Sequence, residues 1–351
     1  MGKFEKESAF YGEHIASRMP ENILDFHAHI WEGDQWKDSK NETEEAPRRY
    51  MVTERQYPAK ALAADAELCF PGKKYHAVCF GQPTPVCDTD MTNAYVAKCA
   101  AGESALFPLM VAGGGRVPRE MLEERLEDGG FLGYKVYLDW IGNDYGSIKV
   151  GDMLTPFEKK LADSRGLVIL LHVPGADRLA DPGTQRGVIE LAGQCPNASV
   201  VLAHCGRCYH PLEIFKAAPA MESMAKLGNI YMDTAMVMDP AVIETAIKAM
   251  GADKILFATD FPVAAMRGRR VNAMDHWVDL VEEGYPESDF RVASDMFFAT
   301  YMAREICLAV LIAAENAGLC KSSLDGIFFD NGMKLLRKPI MGKRGANGIS
   351  N

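Results

Sequence analysis

The sequence predicts an α/β fold, a (β/α)8 TIM barrel with long loop excursions at its C-terminal face. Short apolar runs alternate with helix-patterned segments along most of the chain, as in folds built from repeated β/α units. The later runs are almost continuously apolar, which is typical of parallel strands buried on both faces. Histidine and aspartate residues follow several of these runs, and functional residues of a barrel gather at the C-terminal ends of its strands.

Eight apolar runs are predicted to be strands. The first covers 23–29, and the others cover 75–80, 106–112, 133–138, 167–173, 199–204, 230–235 and 254–260. Helix-patterned segments lie between them at 90–101, 118–128, 155–165, 184–193, 210–227 and 240–250. Eight such units favour a closed barrel over an open doubly wound sheet. No Gly-x-Gly-x-x-Gly motif follows the first strand, which also counts against a dinucleotide-binding sheet.

The segments outside this alternation define the expected domain organisation. Residues 1–22 are polar and are expected to form a short helical cap, and 337–351 are expected to form a tail. The barrel domain is expected to span 23–336, with insertions at 31–58 and 262–299. Insertions of this length are usually functional lids or disordered excursions. A helix over about 301–317 is expected to close the barrel.

Composition excludes several classes of partner. The 351 residues carry a formal net charge of −10, whereas a nucleic-acid-binding surface needs a basic face. No apolar run reaches the roughly 18 residues of a membrane span. Nine scattered cysteines, together with an N-terminus that has no apolar segment, suggest reduced thiols and a cytoplasmic location. The apolar 301–317 helix fits barrel packing without requiring a dimer, so a homodimer stays open.

The first strand carries two histidines. Side chains alternate faces along a strand, so Asp25, His27 and His29 are expected to point the same way. Two imidazoles on one face at the end of a strand provide half of a metal site. The alternative is a buried histidine pair that hydrogen-bonds to the backbone, and this stretch alone does not choose between the two.

Later strands supply the missing ligand types. Lys135 lies on the fourth predicted strand, His172 on the fifth, His204 at the end of the sixth and Asp260 at the end of the eighth. Each has a structural alternative, such as a buried histidine or a loop cap. Together, histidine and carboxylate side chains at one barrel mouth suit a divalent transition metal, most often zinc. His27, His29, His172 and Asp260 form the predicted ligand set.

Several arginines are predicted to lie near the same mouth. Arg207 follows the sixth strand, Arg116 follows the third, and Arg267, Arg269 and Arg270 follow the eighth within MRGRR. A guanidinium can hold a carboxylate through two hydrogen bonds, so these residues together suggest a small anionic substrate. For any one of them, a solvated surface charge is the alternative. Cys205 and Cys208 form a Cys-x-x-Cys pair, for which two loop or core thiols are favoured over a redox or zinc site.

The motifs as a set resemble those of the amidohydrolase superfamily, in the branch that includes aminocarboxymuconate-semialdehyde decarboxylase and pyrone-dicarboxylate lactonase. The matching segments are LDFHAHIW, FGQP with NAYVAKCA, LGYKVYL, LVILLHVPG, VVLAHCG, GNIYMDTA, KILFATDFP and IFFDNGMKLL, in that order over about 23–336. The resemblance implies a TIM barrel with metal ligands at His27, His29, His172 and Asp260. It also implies a further active-site histidine at His204.

Lys135 decides the expected metal count. In binuclear members of the superfamily, a carboxylated lysine on the fourth strand bridges two metals. In the branch that this chain resembles, a basic residue there faces substrate or forms an internal ion pair. We therefore expect one Zn²⁺ rather than two metals bridged by carboxylated Lys135, and we expect Lys135 to contact substrate.

Three functions are compatible with these residues. The first is a hydrolase in which Asp260 acts as general base on a metal-activated water, and the metal or His204 stabilises the oxyanion formed from a lactone or amide. The second is a non-oxidative decarboxylase in which His204 or Asp260 protonates the substrate carbon. The third is a metal-stabilised scaffold without catalytic activity. The complete ligand set favours an enzyme, and the hydrolase is the first choice.

Overall fold

The computed structural model describes residues 3–37, 56–142, 144, 146–273, 276–282, 290–292 and 299–337. Most of the first predicted insertion and nearly all of the predicted tail lie outside these residues. The statements below concern the described residues.

Parallel strands follow one another around a barrel in chain order. They are β1 (Asn22–His29), β2 (Lys74–Phe80), β3 (Leu106–Pro108), β4 (Met110–Val111), β5 (Gly133–Val136), β6 (Val168–Leu171), β7 (Ser199–Leu202), β8 (Ile230–Asp233) and β9 (Ile255–Leu256). β3 and β4 are two halves of one barrel strand, because the Leu109 amide between them still donates to the Cys79 carbonyl at 2.9 Å. The side-chain amide of Asn93 hydrogen-bonds to both backbone groups of Val111. Its Oδ1 accepts from the Val111 amide at 2.9 Å, and its Nδ2 donates to the Val111 carbonyl at 3.2 Å.

Backbone hydrogen bonds between the last strand and β1 close the barrel. Phe26 donates to the Phe257 carbonyl, and His29 donates to the Phe261 carbonyl, each at 2.9 Å. Asp260 donates to the carbonyl of His27, also at 2.9 Å. The predicted eight-unit (β/α)8 barrel is therefore confirmed, although its regular last strand is shorter than the 254–260 run.

The helices lie close to their predicted positions. They are α1 (Lys3–Tyr11), α2 (Ala59–Cys69), α3 (Thr89–Gly102), α4 (Arg119–Asp128), α5 (Pro156–Arg165), α6 (Pro182–Gln194), α7 (Pro211–Ala225), α8 (Pro240–Met250), α9 (Met302–Asn316) and α10 (Lys321–Asp325). Four of them, α5 to α8, begin with proline, whose missing amide hydrogen costs nothing at a first helical position. Thr155 and Asp181 cap the α5 and α6 amides with their side chains.

Two hydrophobic layers follow from strand alternation. One face of the strands fills the barrel interior with side chains two residues apart, such as Val168 and Leu170, or Val78 and Phe80. The other face packs against the surrounding helices in a larger cluster. Burial on both faces explains the continuous apolar runs that predicted these strands. No helix in the described part of the chain is long and apolar enough to cross a membrane.

The second predicted insertion contains a small sheet. β10 (Gly268–Ala273) pairs antiparallel with β11 (His276–Glu282), and β11 pairs parallel with β12 (Phe290–Val292). We refer to β10 and β11 as the hairpin. α9 follows and buries the apolar residues Met302, Ile306 and Val310, as expected for the helix predicted over 301–317.

Candidate metal and substrate site

A cavity of about 190 Å³ lies at the C-terminal ends of the barrel strands. Its lining residues come from β1, from the loops after β5 to β9 and from the hairpin. They are His27, His29, Tyr137, His172, Arg178, His204, Arg207, Tyr209, Met236, Asp260, Val263, Arg270 and Trp277. The barrel thus brings all five histidine and aspartate residues of the predicted metal and acid–base set to one cavity.

Two histidines of β1 face the cavity, but Asp25 does not line it. The pairing of β1 with β2 shifts register between Asp25 and Ala28, and such an irregularity re-aims side chains. The Asp25 carboxylate instead accepts hydrogen bonds from the His27 amide at 3.0 Å and from the Tyr75 hydroxyl at 2.7 Å. Burial raises its pKa to about 7, although hydrogen bonds from Thr259 and Tyr75 act in the opposite direction.

Hydrogen bonds at Nδ1 orient both β1 imidazoles. Nδ1 of His27 lies 2.8 Å from Oδ2 of Asp233, and Nδ1 of His29 lies 3.3 Å from the Gly81 carbonyl. A carboxylate and a carbonyl can only accept, so each Nδ1 carries the proton and each Nε2 presents a lone pair. This is the arrangement that metal-ligating histidines normally have. Burial is the main cause that lowers the pKa of both residues and keeps them neutral.

His204 is fixed in the same way. Its Nδ1 donates to the Ala235 carbonyl at 2.9 Å, which leaves Nε2 as the acceptor nitrogen. Its backbone amide donates to Oδ1 of Asp233 at 2.6 Å, so Asp233 holds His27 with one oxygen and His204 with the other. Burial lowers the pKa of His204 to about 3, and the imidazole is therefore neutral at physiological pH.

The turn after β7 has a left-handed backbone. His204, Cys205, Gly206 and Arg207 have φ angles of 58°, 50°, 71° and 63°, values that non-glycine residues rarely adopt because the Cβ atom crowds the following carbonyl. A Cβ at Gly206 would lie 2.6 Å from the Leu179 side chain. Backbone strain of this kind clusters at functional sites. Cys205 and Cys208 are buried free thiols, and burial raises the pKa of both.

Asp260 completes a cluster of donors with the β1 imidazoles. Its Oδ1 lies 3.2 Å from Nε2 of His29 and 3.4 Å from Nε2 of His27, and all three ligand atoms fall within 4.8 Å of one another. Burial raises the pKa of Asp260, whereas the positive charge that the neighbouring imidazoles carry when they are protonated lowers it below the ordinary value. Two neutral imidazole nitrogens and a carboxylate oxygen are donors that suit zinc, so these residues fit the implied metal.

A second group of possible donors contains His27, His204 and Asp233. Asp233 already accepts hydrogen bonds from both of the other residues, so its carboxylate supports the histidines. His172 lines the cavity, where its ring stacks on Tyr137 with centroids 4.3 Å apart and lies edge-on to His204 at 5.3 Å. Among the described residues, His172 is not part of either donor group within 4.8 Å.

Lys135 lies beneath the cavity and does not line it. The side chain is fully buried, and Nζ lies 2.8 Å from Nε2 of His27 and 4.7 Å from the centre of the Phe80 ring. The amine therefore meets the nitrogen that a metal would use. A fully buried amine in this position does not fit the predicted contact with substrate.

Three guanidinium groups line the cavity. Arg178 pairs with Glu213 at 2.8 Å, Arg207 donates to the Val173 carbonyl at 2.9 Å, and Arg270 pairs with Asp279 at 2.9 Å. These arginines, with the Tyr209 and Trp277 rings, give the cavity a wall that suits an anionic, partly apolar ligand.

The Arg270 guanidinium packs against two of these rings. The guanidinium carbon Cζ lies 3.9 Å from the centre of the Trp277 ring and 4.6 Å from the centre of the Tyr209 ring. The two rings themselves meet edge to face, with centroids 5.3 Å apart. The position of Arg270 therefore depends on where the hairpin places Trp277.

Two of the predicted substrate arginines lie elsewhere. Arg116 is exposed, stacks on Trp140 at 3.5 Å and does not line the cavity. Arg267 is buried and pairs with Glu7 at 2.6 Å and with Glu282 at 3.2 Å. Of Lys135, Arg116, Arg207 and Arg267, the structure brings Arg207 to the cavity. Arg270 of the MRGRR run also lines it.

Sequence reasoning did not single out three residues that the structure brings to this site. Asp233 lies near the C-terminal end of the strand predicted over 230–235, so the rule that located Asp260 could have found it. Arg178 and Trp277 lie in a loop and in the second insertion, where no pattern marked them.

The family comparison agrees with this geometry. A family model described as amidohydrolase matches residues 24–282, which is more than half of the chain. Among curated proteins, none matches this sequence.

Solved structures of low sequence identity share the fold. An amidohydrolase from Burkholderia multivorans with bound zinc has a TM-score of 0.59 at 12% identity, over 90% of this chain and 99% of that one. The 5-carboxyvanillate decarboxylase of Sphingomonas paucimobilis has a TM-score of 0.55 at 11% identity, over 91% and 99%. A probable 2-pyrone-4,6-dicarboxylic acid hydrolase from Acinetobacter baumannii, with citric acid bound, has a TM-score of 0.50 at 16% identity, over 90% and 99%.

Proposed function

The chain belongs to the amidohydrolase family, and from that membership we propose that it is a metal-dependent hydrolase that acts on the lactone or amide carbonyl of a small carboxylate-bearing substrate. The observation that carries this proposal is the convergence of two Nε2 lone pairs and the Asp260 carboxylate beside a cavity lined by arginines.

His27, His29 and Asp260 would hold the metal, and His172, which lines the same cavity, is proposed as a further ligand. One Zn²⁺ is the proposed cofactor, since the donor atoms of His27, His29 and Asp260 form one compact group, whereas Asp233 in the other group is already engaged by hydrogen bonds. A bound divalent metal would lower the pKa of a water molecule from about 15.7 towards roughly 7 and polarise the substrate carbonyl.

Asp260 is the proposed general base. Its Oδ1 makes the contacts with both imidazoles, so Oδ2 is the oxygen that would accept the proton of the attacking water. A general base must be ionised, and the positive charge of a divalent metal held beside the carboxylate would keep it in that form. The proton would then pass from Asp260 to the leaving oxygen or nitrogen.

His204 would act through its acceptor nitrogen. Because Nδ1 donates to the Ala235 carbonyl and the imidazole is neutral, Nε2 can accept a hydrogen bond from a water or from the substrate. A neutral acceptor does not stabilise an oxyanion, so the proposed role of His204 is to orient the attacking water. Arg207 and Arg178 would bind the substrate carboxylate.

Metal depletion and reconstitution test this function. Protein treated with chelator, and the same protein reloaded with zinc, should be assayed on lactones and amides that carry a carboxylate. Turnover should vanish on depletion and return with zinc. His29→Gln should abolish turnover, whereas His14→Gln, a control whose side chain is 45% exposed, should not. Full turnover by the metal-free protein would contradict the proposal.

A non-oxidative decarboxylase is the second candidate. It is favoured by the guanidinium wall, which can hold a carboxylate close to the donor cluster. This reaction needs an acid that protonates the substrate carbon, and a neutral His204 with its proton on Nδ1 is poorly placed for that step. Carbon dioxide release without ring opening or amide cleavage, on a matched panel of aromatic carboxylates, would select the decarboxylase.

A further inference from the structure

A buried ion network lies at the base of the hairpin, and none of its residues lines the cavity. Glu7 of α1 binds two arginines, with Oε2 2.6 Å from Arg267 and Oε1 3.1 Å from Arg304. Arg267 also pairs with Glu282 at 3.2 Å. These four residues are 4–8% exposed, so the network is part of the protein interior and not a surface feature.

The arginines of the network also bind backbone carbonyls. Arg267 donates to Ala299 at 2.7 Å, and Arg304 donates to Leu68 at 2.8 Å and to Cys69 at 2.9 Å. The network therefore ties α1, the end of α2, the start of α9 and the base of the hairpin together. These segments are far apart in the chain and meet at Glu7.

The same hairpin supplies two residues of the cavity wall. Arg270 lies three residues after Arg267, and Trp277 lies on the paired strand opposite Asn272. The backbone continues the anchor, because Gly268 donates to the Thr300 carbonyl at 2.9 Å and Glu282 donates to the Arg267 carbonyl at 3.0 Å. Further along β10, the backbone amide of Arg270 donates to the Met238 sulfur at 3.1 Å, and the side-chain amide of Asn272 donates to the Asp239 carboxylate.

We propose that Glu7 and Arg267 are positioning residues, whose buried ion pair fixes the hairpin so that Arg270 and Trp277 form the cavity wall. Through Glu7, the N-terminal helix α1 therefore contributes to the geometry of the cavity wall. The inference rests on the proposed function only in treating the cavity as the substrate site.

Energetics support positioning over simple stabilisation. Removing two charges from water costs about as much as their attraction returns, so a buried ion pair adds little net stability over an apolar pair. Its directional hydrogen bonds nevertheless select one arrangement of the joined segments, and breaking one partner leaves an uncompensated charge. A buried ion pair therefore suits the hairpin, which is not one of the barrel strands but contributes Arg270 and Trp277 to the cavity.

Hydrogen exchange and tryptophan quenching test the proposal. Glu7→Gln removes the charge while keeping the side-chain shape, and Arg267→Lys keeps the charge while losing most of the hydrogen bonds. Glu5→Gln is the matched control, because Glu5 is exposed on the same helix. We expect amide exchange at Gly268 and Glu282 to become about tenfold faster in both network variants. We also expect acrylamide to quench the Trp277 emission more strongly in both network variants. Trp277→Phe identifies that emission, because it is the part of the signal that this substitution removes.

The outcomes separate this inference from the proposed function. Barrel amides and zinc content should stay at wild-type values in Glu7→Gln, and Glu5→Gln should match the wild type throughout. Unchanged exchange and quenching in both network variants would overturn the inference, as would equally faster exchange across the whole barrel. If the wild type binds no zinc but the hairpin responds as expected, the proposed function fails and the positioning role stands.

Discussion

Nδ1 of His27 and Oδ2 of Asp233 lie 2.8 Å apart at the ends of two barrel strands. The other oxygen of the same carboxylate accepts the backbone amide of His204 at 2.6 Å. One buried carboxylate therefore orients a proposed metal ligand and holds the left-handed turn that carries His204 and Arg207. The proposed metal donors and the arginines that line the cavity share this support.

Replacement of Asp233 by asparagine should weaken zinc binding. The amide can no longer accept from His27 and the His204 amide with the strength of a carboxylate, and outer-sphere partners of this kind contribute about 10- to 100-fold in metal affinity. Competition with a chromophoric chelator measures the change. Asp253→Asn, at an exposed position, is the control. Wild-type zinc affinity in Asp233→Asn would show that the contact does not tune the ligand.

Replacement of Lys135 by methionine distinguishes one metal from two. With one metal held by His27, His29 and Asp260, removing an amine that contacts Nε2 of His27 should leave zinc binding intact or stronger. Methionine has a similar length and suits a fully buried position. Zinc content per chain, with intact mass to detect carboxylation, provides the measurement. A fall in zinc content, or a wild-type mass increased by carbon dioxide, would support the bridged pair instead.

Replacement of Arg207 by methionine should raise KM for the substrate about 10- to 100-fold with a smaller effect on kcat, because a charge-assisted hydrogen bond contributes roughly 1.5–3 kcal/mol. Arg178→Met should act in the same direction. Arg116→Met is the control, since this exposed side chain does not line the cavity. Steady-state kinetics on an active substrate measure the split, and equal effects of all three substitutions would contradict it.

The pH dependence of stability should carry the signature of buried neutral histidines. The pKa of His204 is about 3 in the fold and about 6.5 in the unfolded chain. Between these values only the unfolded chain binds the proton, so the free energy of unfolding rises with pH across this window and acid destabilises the fold. One such group contributes a slope of at most about 1.4 kcal/mol per pH unit.

Urea unfolding of the metal-free protein between pH 4 and pH 8 tests this sign. His204→Asn can still donate to the Ala235 carbonyl but has no group that titrates in the window. Its stability should therefore depend less steeply on pH than that of the wild type, with the difference confined to acidic pH. Parallel pH profiles for the two proteins would show that His204 is not held neutral in the fold.

The sequence predicted the barrel and the polar residues at its mouth because both depend on local rules. Apolar runs buried on both faces identify parallel strands, and polar residues at their ends identify the mouth; this placed His27, His29, His172, His204 and Asp260 correctly at the cavity. The same reasoning was wrong about Asp25, which was expected to point the same way as His27. A register shift in β1 between Asp25 and Ala28 interrupts the alternation of side chains on which that expectation depended.

Which arginines line the cavity was less predictable from the sequence, because their positions depend on contacts between distant segments. Arg267 and Arg270 stand three residues apart in one basic run, yet Glu7 draws the first into the core and Asp279 holds the second beside Trp277. Nothing local distinguishes the two arginines. Arg178 likewise reaches the cavity through its pairing with Glu213, which lies on α7.

The anomalous scattering of crystals of the zinc-loaded protein, measured on both sides of the zinc absorption edge, tests the central claim most directly. The account predicts one zinc peak per chain, within coordination distance of Nε2 of His27, Nε2 of His29 and a carboxylate oxygen of Asp260. A chain without a peak at these residues, or with two peaks bridged by Lys135, would contradict it.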